Sequence, residues 1–249
     1  MKTIAVIPAR MGSSRFPGKP IAKILGRPMI EHIYKRVAMS KALDATYIAT
    51  CDEEIREVAE GFGAPVIMTA DIHQRASDRV AEAVVYLDAD LIVMVQGDEP
   101  MTHPDMIDTA VAPFHHDAKL GCVNLVRRIE HEADYLDFNT IKVVMDQNNN
   151  ALYMSRRPIP SLAKTGFADT AVYKQVCIIP FRRETLFKYT HLEPTPLEQL
   201  ESIDMLRLME HGMSVRMVPT EYNTQAVDTT ADLLRVEKLM QSDPLLAHY

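Results

Sequence analysis

Short runs of consecutive apolar residues rich in Val and Ile, at Thr3–Ala9, Ala45–Cys51, Pro65–Thr69 and Leu91–Gln96, alternate along the chain with segments of helical period. No other feature constrains the fold as strongly. A strand that faces water on one side alternates apolar and polar residues, whereas near-continuous hydrophobicity means that both faces are covered, as in a parallel sheet sandwiched between helices. The intervening segments supply those helices. Pro28–Ser40 gathers Met29, Ile30, Ile33, Val37 and Ala38 on one face, and Glu53–Phe62 and Asp78–Leu87 repeat the pattern more weakly. The expectation is an α/β fold, a mostly parallel sheet flanked by helices, whose first part runs β-α-β-α-β-α-β.

The second half reads differently. Ile141–Met145 and Ala151–Met154 flank Asp146-Gln147-Asn148-Asn149-Asn150, residues that tolerate left-handed backbone and favour turns, so a β-hairpin is expected there. Val172–Phe181 reads as one further strand and Pro196–His211 as one helix closed by Gly212. Ser214–Pro219 reads as a strand, and Thr229–Gln241 as a final helix capped by an Asp or Thr. No linker or repeat interrupts the chain, which reads as a single domain over 1–249. A nucleotide-binding part covers about 1–120 and an acceptor-binding and dimerisation part about 121–225, with the last helix returning to the core.

Composition excludes several classes. The 249 residues carry 27 Lys and Arg against 34 Asp and Glu, a formal charge of −7, so no nucleic-acid surface is advertised and a polyanionic ligand must be met by a local cluster. No apolar stretch is long enough for a membrane span, and the N-terminus lacks a signal-peptide pattern, so a cytoplasmic protein is expected. Cys51, Cys122 and Cys177 are far apart and read as reduced thiols. Fifteen Met and no Trp suggest an adaptable core. His115-His116 reads as a surface turn, and Glu198 with Glu201 as a solvated helix face.

Chemistry concentrates in Ile7-Pro8-Ala9-Arg10-Met11-Gly12-Ser13-Ser14-Arg15-Phe16-Pro17-Gly18-Lys19-Pro20, directly after the first strand. Open α/β sheets bind ligands beyond the carboxyl ends of their strands. Small residues permit close backbone approach there, while Arg10, Arg15 and Lys19 supply charge against a polyphosphate. The loop is not a Walker A: five residues separate Gly12 from Gly18 where that motif has four, and Pro20 stands in its Ser/Thr place. Val95-Gln96-Gly97-Asp98-Glu99-Pro100 ends a buried run in a carboxylate, and Asp228 precedes the last helix. Either aspartate alone reads as a helix cap; together they suggest a Mg2+ site shared with a nucleotide's phosphates.

The first loop, Val95–Pro100, Lys142-Val143-Val144-Met145-Asp146 with Ala151-Leu152-Tyr153-Met154-Ser155-Arg156, Pro196-Leu197-Glu198 with Leu206-Arg207, and Val227-Asp228-Thr229 together resemble the 3-deoxy-manno-octulosonate (Kdo) cytidylyltransferases, in order over almost the whole chain. The resemblance implies a Rossmann-like fold with a smaller, hairpin-containing dimerisation lobe, and a homodimer. It also implies transfer of CMP from CTP to an anionic sugar acid with release of pyrophosphate, a cytoplasmic step of lipopolysaccharide biosynthesis. Carried over residue by residue, Arg10, Ser13 and Lys19 would hold the triphosphate, and Pro8, Ala9, Arg15, Ser77 and Arg79 would complete the nucleotide-binding site. Asp98 and Asp228 would hold Mg2+, and Gln96, Arg156, Gln175 and Asp204 would face the acceptor. Arg10, Lys19 and Asp98 would carry the catalysis.

The chain also departs from that pattern. Arg75-Ala76 replaces the Ser-Gly before Ser77, Gln175 and Ile179 stand for a histidine and a tyrosine, and Asp204-Met205 for a Glu-Gln pair. A site built to hydrogen-bond hydroxyls discriminates against ligands that cannot return the bonds, so the acceptor is expected to be Kdo or a modified relative, with unmodified Kdo disfavoured. Cytidylyl transfer to another anionic acceptor, such as a small phosphonate, and a non-catalytic nucleotide-binding role stand as alternatives.

Overall fold

The computed structural model describes residues 1–12 and 16–249, and the chain divides into two compact units, Met1–Asp108 with Thr224–Tyr249, and Thr109–Asn223. In the first unit the order is β1 (Thr3–Pro8), β2 (Lys23–Ile24), β3 (Arg27–Pro28), α1 (Met29–Val37), β4 (Ala45–Thr50), α2 (Glu53–Gly61), β5 (Val66–Met68), α3 (Ala76–Ala83) and β6 (Leu91–Val95). The chain then crosses into the second unit within α4 (Pro104–Val111).

Strands β6, β1, β4 and β5 lie side by side in that order, all parallel. Ile4 to Ile7 and Leu91 to Val95 are buried without a break, which is why these runs show no alternation. Parallel pairing has a direct consequence: Pro8 pairs with Ala49, and Val6 stands opposite Met94, so the carboxyl ends of β1, β4 and β6 gather at one edge. On α1 the buried stripe includes Met29, Ile30, Ile33 and Val37 as expected, but Ala38 is exposed, while His32 and Arg36 are buried. Both polar side chains find partners near the chain's end: Arg36 donates to the Tyr249 hydroxyl and to Asp243, each at 2.8 Å, and His32 Nδ1 lies 2.9 Å from the same hydroxyl.

The second unit contains β7 (Val123–Arg128), α5 (Glu132–Leu136), β8 (Lys142–Met145), β9 (Ala151–Ser155), β10 (Tyr173–Val176), β11 (Ile178–Arg182), α6 (Arg183–Thr190), α7 (Pro196–Glu201), α8 (Met205–Glu210) and β12 (Arg216–Pro219). Its sheet runs β12-β7-β10-β8-β9, with β12 parallel to β7 and the remaining pairs antiparallel. The β8–β9 hairpin turns where the Asp/Asn run predicts: Asn149 takes φ 59°, and the Asp146 carboxylate accepts the N–H groups of Asn148 and Asn150. Those bonds hold the Asp146 carboxyl below its ordinary value. The chain returns to the first unit for α9 (Thr230–Met240), its last α-helix among the described residues, and a short 3-10 helix over Pro244–His248 follows.

Two sequence expectations are corrected. The single strand over Val172–Phe181 is two strands, β10 and β11, interrupted at Cys177. The single helix over Pro196–His211 is α7 and α8, broken at Ser202, which adopts φ 54°. The cause is tertiary. The Arg156 guanidinium takes the carbonyls of Glu201 and Ser202, at 2.7 and 3.3 Å, which a continuous helix would give to residues 205 and 206. The break also overturns the solvated reading of Glu198, which is buried and gripped by Arg207 at 2.6 and 2.7 Å. Glu201 is likewise engaged, accepting from Tyr153, Ser155 and the Arg156 N–H. None of the helices among the described residues is long and apolar enough to cross a membrane.

Candidate active site

At the carboxyl edge of the first unit's sheet, a cavity of about 330 Å³ is lined by Arg10, Lys19, Gln96, Asp98 and Asp228, with Pro8 and Ala9 at its base. Lys19 holds the centre. Its Nζ lies 3.3 Å from a carboxylate oxygen of Asp98 and 3.3 Å from one of Asp228, so two aspartates from the two separate stretches of chain that build this unit converge on one cationic atom. A backbone bond fixes that approach, Val227 N–H donating to the Asp98 carbonyl at 2.9 Å.

Asp228 is not the cap of the last helix. Thr229 is, in a capping box with Asp232, whose carboxylate also accepts the Asp228 N–H at 3.2 Å. The Asp228 side chain is thereby released toward the cavity. Gly97 brings the other side in: a Cβ built there would stand 2.8 Å from the Pro8 carbonyl oxygen, so only glycine lets the segment after β6 lie this close to the end of β1. Gly97→Ala is therefore expected to displace one of the two backbones, at a cost of about 1–3 kcal/mol. Denaturant unfolding, with an unchanged midpoint as the contrary result, checks it.

Two carboxylates converging on one cation make the donor set that Mg2+ takes when phosphate and water complete its shell. No cluster of three or more His, Cys, Asp or Glu suited to a metal occurs among the described residues, so the remaining donors would come from a ligand. Ser13 and Arg15 lie outside the described residues.

A second cavity of about 120 Å³ shares Pro8, Ala9, Arg10 and Ala76 with the first and is closed by His73, Gln74, Arg75 and Arg79. Arg79 is buried, and its guanidinium donates to the Thr69 hydroxyl and the Ala70 carbonyl. Ser77 is fully buried and does not line either cavity. Glu82 ties the same segment down by accepting the Ala70 N–H and pairing with His73.

The remaining predicted residues belong to the second unit. Arg156 is half-buried, with its guanidinium on backbone carbonyls and over the Phe138 ring. Gln175 donates to the side chain of the buried Asn124 at 2.5 Å. Asp204 occupies the N-cap of α8 without a side-chain capping bond. Ile179 and Met205 are buried in this unit's core, the latter with its sulfur 4.0 Å from that of Cys122. In the sequence Lys142 stands out only as part of a motif. Its fully buried ammonium donates to the carbonyls of Asp137, Thr140 and Arg156, and burial pushes its pKa down to about 8 against the opposing pull of Asp137. Burial pushes Glu201 upward, but the bonds from Arg156, Ser155 and Tyr153 outweigh it and hold the carboxyl below its ordinary value.

The chain can now be set beside known proteins. A family model described as cytidylyltransferase matches residues 4–215. A 3-deoxy-manno-octulosonate cytidylyltransferase from Geobacter metallireducens is 42% identical, with 96% of this chain and 98% of that protein covered. One from Solibacter usitatus is 41% identical, covering 98% and 96%. Among solved structures, a CMP:2-keto-3-deoxy-manno-octonic acid synthetase complexed with CTP superimposes with a TM-score of 0.91 at 36% identity, over 98% of this chain and all of that one. With full-length relatives at this identity, the same fold, and a cationic loop opposed to paired carboxylates, the chain belongs to the 3-deoxy-manno-octulosonate cytidylyltransferase family.

Proposed function

We propose that this protein transfers CMP from CTP to a 3-deoxy-2-keto sugar acid, Kdo in the first instance, with release of pyrophosphate. The observation that carries the reading is the convergence of Lys19, Asp98 and Asp228 at the mouth of the phosphate loop, in a chain whose relatives are named for this reaction. In the reaction an acceptor oxygen forms a bond to the α-phosphorus while the bond from that phosphorus to the bridging oxygen of pyrophosphate breaks. Arg10 and Lys19 offset the charge that builds on the departing oxygens, and the walls of the cavity hold the triphosphate in line with the acceptor. Asp98 and Asp228 would hold Mg2+, which when bound supplies Lewis acidity at phosphate oxygens and lowers the pKa of an acceptor hydroxyl. Gln96 stands on the same cavity wall, where it can donate to the acceptor.

A second reading, a modified relative of Kdo as the preferred acceptor, is favoured by one set of observations. Ile179 and Met205 are buried and Gln175 is engaged with Asn124, where the family pattern has a tyrosine, a glutamine and a histidine. Each missing polar partner costs about 1–3 kcal/mol. Homodimer formation and a cytoplasmic location belong to the same proposal; the exposed Leu152 on edge strand β9 and Leu200 on α7 give the second unit apolar surface for a second copy.

One experiment tests these readings: CTP-dependent pyrophosphate release, compared with the other three nucleoside triphosphates, against Kdo, an amino-modified Kdo, other nonulosonic acids and short phosphonates, with and without chelator. Turnover is expected with CTP and Kdo-class acids, lost with excess chelator and restored by Mg2+. A modified acid better than Kdo by about tenfold or more in kcat/KM, on the order of 1.4 kcal/mol, selects the second reading. Release with none of the acceptors would support a non-catalytic role, and full activity in excess chelator would remove the metal.

A further inference from the structure

Asp52 follows β4 and occupies the N-cap position of α2, where an aspartate ordinarily accepts one of the helix's own first N–H groups. Its side chain makes no such bond. The carboxylate accepts instead the backbone N–H of Met11, at 2.8 Å and 41 residues away in sequence. The Met11 carbonyl in turn accepts the Gly18 N–H at 3.3 Å, and Gly18 takes φ 72°, the left-handed backbone that suits glycine. Just upstream, the Ala9 N–H donates to the Ala49 carbonyl at 2.9 Å. The segment that carries Arg10 and Lys19 is thus tied to the end of β4 twice, and the side chain in that clamp is Asp52. The Asp52 backbone is itself fixed, its N–H donating to the Thr50 hydroxyl at 3.1 Å, and the Cys51 thiol lies 3.7 Å from the carboxylate oxygen that Met11 bonds. Asp52 lines neither cavity, so it acts through Met11 and not on a ligand.

The geometry points to Asp52 as a positioning residue that, through Met11 and Gly18, holds Arg10 and Lys19 where they receive the nucleotide's phosphates. This inference rests on the nucleotidyl transfer proposed above. A segment ordered in advance spares the ligand the cost of ordering it, and that cost weighs equally on the bound ground state and the transition state. Its loss should therefore appear in KM more than in kcat.

Three substitutions at this position separate anchoring from capping. Asp52→Ala removes the acceptor that anchors Met11 and offers the helix no cap. Asp52→Ser retains a good helix cap but is too short to reach Met11, and Asp52→Asn keeps an oxygen acceptor at the same reach. In the alanine and serine variants KM for CTP is expected to rise about fivefold or more, with kcat within about twofold, and the amides of Met11, Gly18 and Lys19 to exchange faster with solvent deuterium. The asparagine variant is expected to stay within about twofold of the parent in KM. A serine variant with unaltered KM and exchange, an asparagine variant as impaired as alanine, or a serine variant that fails to fold would each overturn the assignment. The exchange measurement needs no nucleotide. If the parent shows no turnover with CTP while exchange responds as described, the nucleotidyl reading fails and the anchor stands.

Discussion

Lys19→Ala is expected to lower kcat/KM for CTP by about a hundredfold or more, on the order of 3 kcal/mol, while moving the melting temperature by no more than about 2 °C. The kinetic half follows from position. Lys19 places its ammonium between the carboxylates of Asp98 and Asp228 in the cavity lined also by Arg10, where a triphosphate's charge must be met. A cation acting on charge that develops in the transition state is worth more than one that merely attracts substrate, so kcat should fall along with kcat/KM. The stability half follows from exposure. The Lys19 side chain is 14% exposed and both aspartates 24%, so water screens much of the repulsion left between the carboxylates when the ammonium is gone. Asp98→Asn and Asp228→Asn should act in the same direction on turnover. Steady-state kinetics beside thermal unfolding checks both halves. Normal turnover in Lys19→Ala would make the loop a surface turn, and a large fall in melting temperature would make the lysine a structural brace.

The largest expected effect on stability lies in the second unit. Glu198→Ala or Arg207→Ala is expected to cost about 3–5 kcal/mol, lowering the melting temperature on the order of 10 °C. Glu198 and Arg207 form a bidentate pair at 2.6 and 2.7 Å, both side chains almost wholly buried, with the guanidinium 4.5 Å above the Tyr189 ring. Removing one partner leaves the other charge buried without compensation, and that penalty exceeds the net worth of the pair. The double substitution Glu198→Leu with Arg207→Met should therefore cost less than either alanine variant alone, because no stranded charge remains. Urea unfolding of the singles and the double, read as a double-mutant cycle, tests this. Additive losses would show that the two side chains act independently. The pair also joins α7 to α8 across the break at Ser202, so its loss should free the second unit's helices from one another.

Glu198 illustrates how sequence and structure divide the work. A glutamate on a polar-looking helix reads as solvated, because charged side chains are rarely buried and nothing local announces a partner nine residues on. The helix break at Ser202 was invisible for a related reason: its cause is Arg156, a residue 46 positions away that takes the carbonyls. Asp52 was illegible too, since an aspartate after a strand and before a helix looks the same whether it caps that helix or reaches across to Met11. Lys142 carries no local sign that three carbonyls await its ammonium.

What the sequence determined by itself is which runs build the parallel sheet and where backbone preference forces a turn. The uninterrupted Val/Ile runs required parallel neighbours, which β1, β4, β5 and β6 are; cover on both faces is complete in the body of β1 and in β6, whereas β5, at the end of the sheet, has no buried residue and leaves Met68 exposed. The Asp146–Asn150 stretch required a turn with left-handed backbone, and Asn149 supplies it. The cationic loop after the first strand had to lie where parallel sheets bind ligands. Only the tertiary structure decided that Asp98 and Asp228, far apart along the chain, meet at Lys19. Periodicity reports which side of an element is buried, but convergence depends on strand register, on glycine at position 97 and on the chain's return after the second unit, and these are settled by long-range packing.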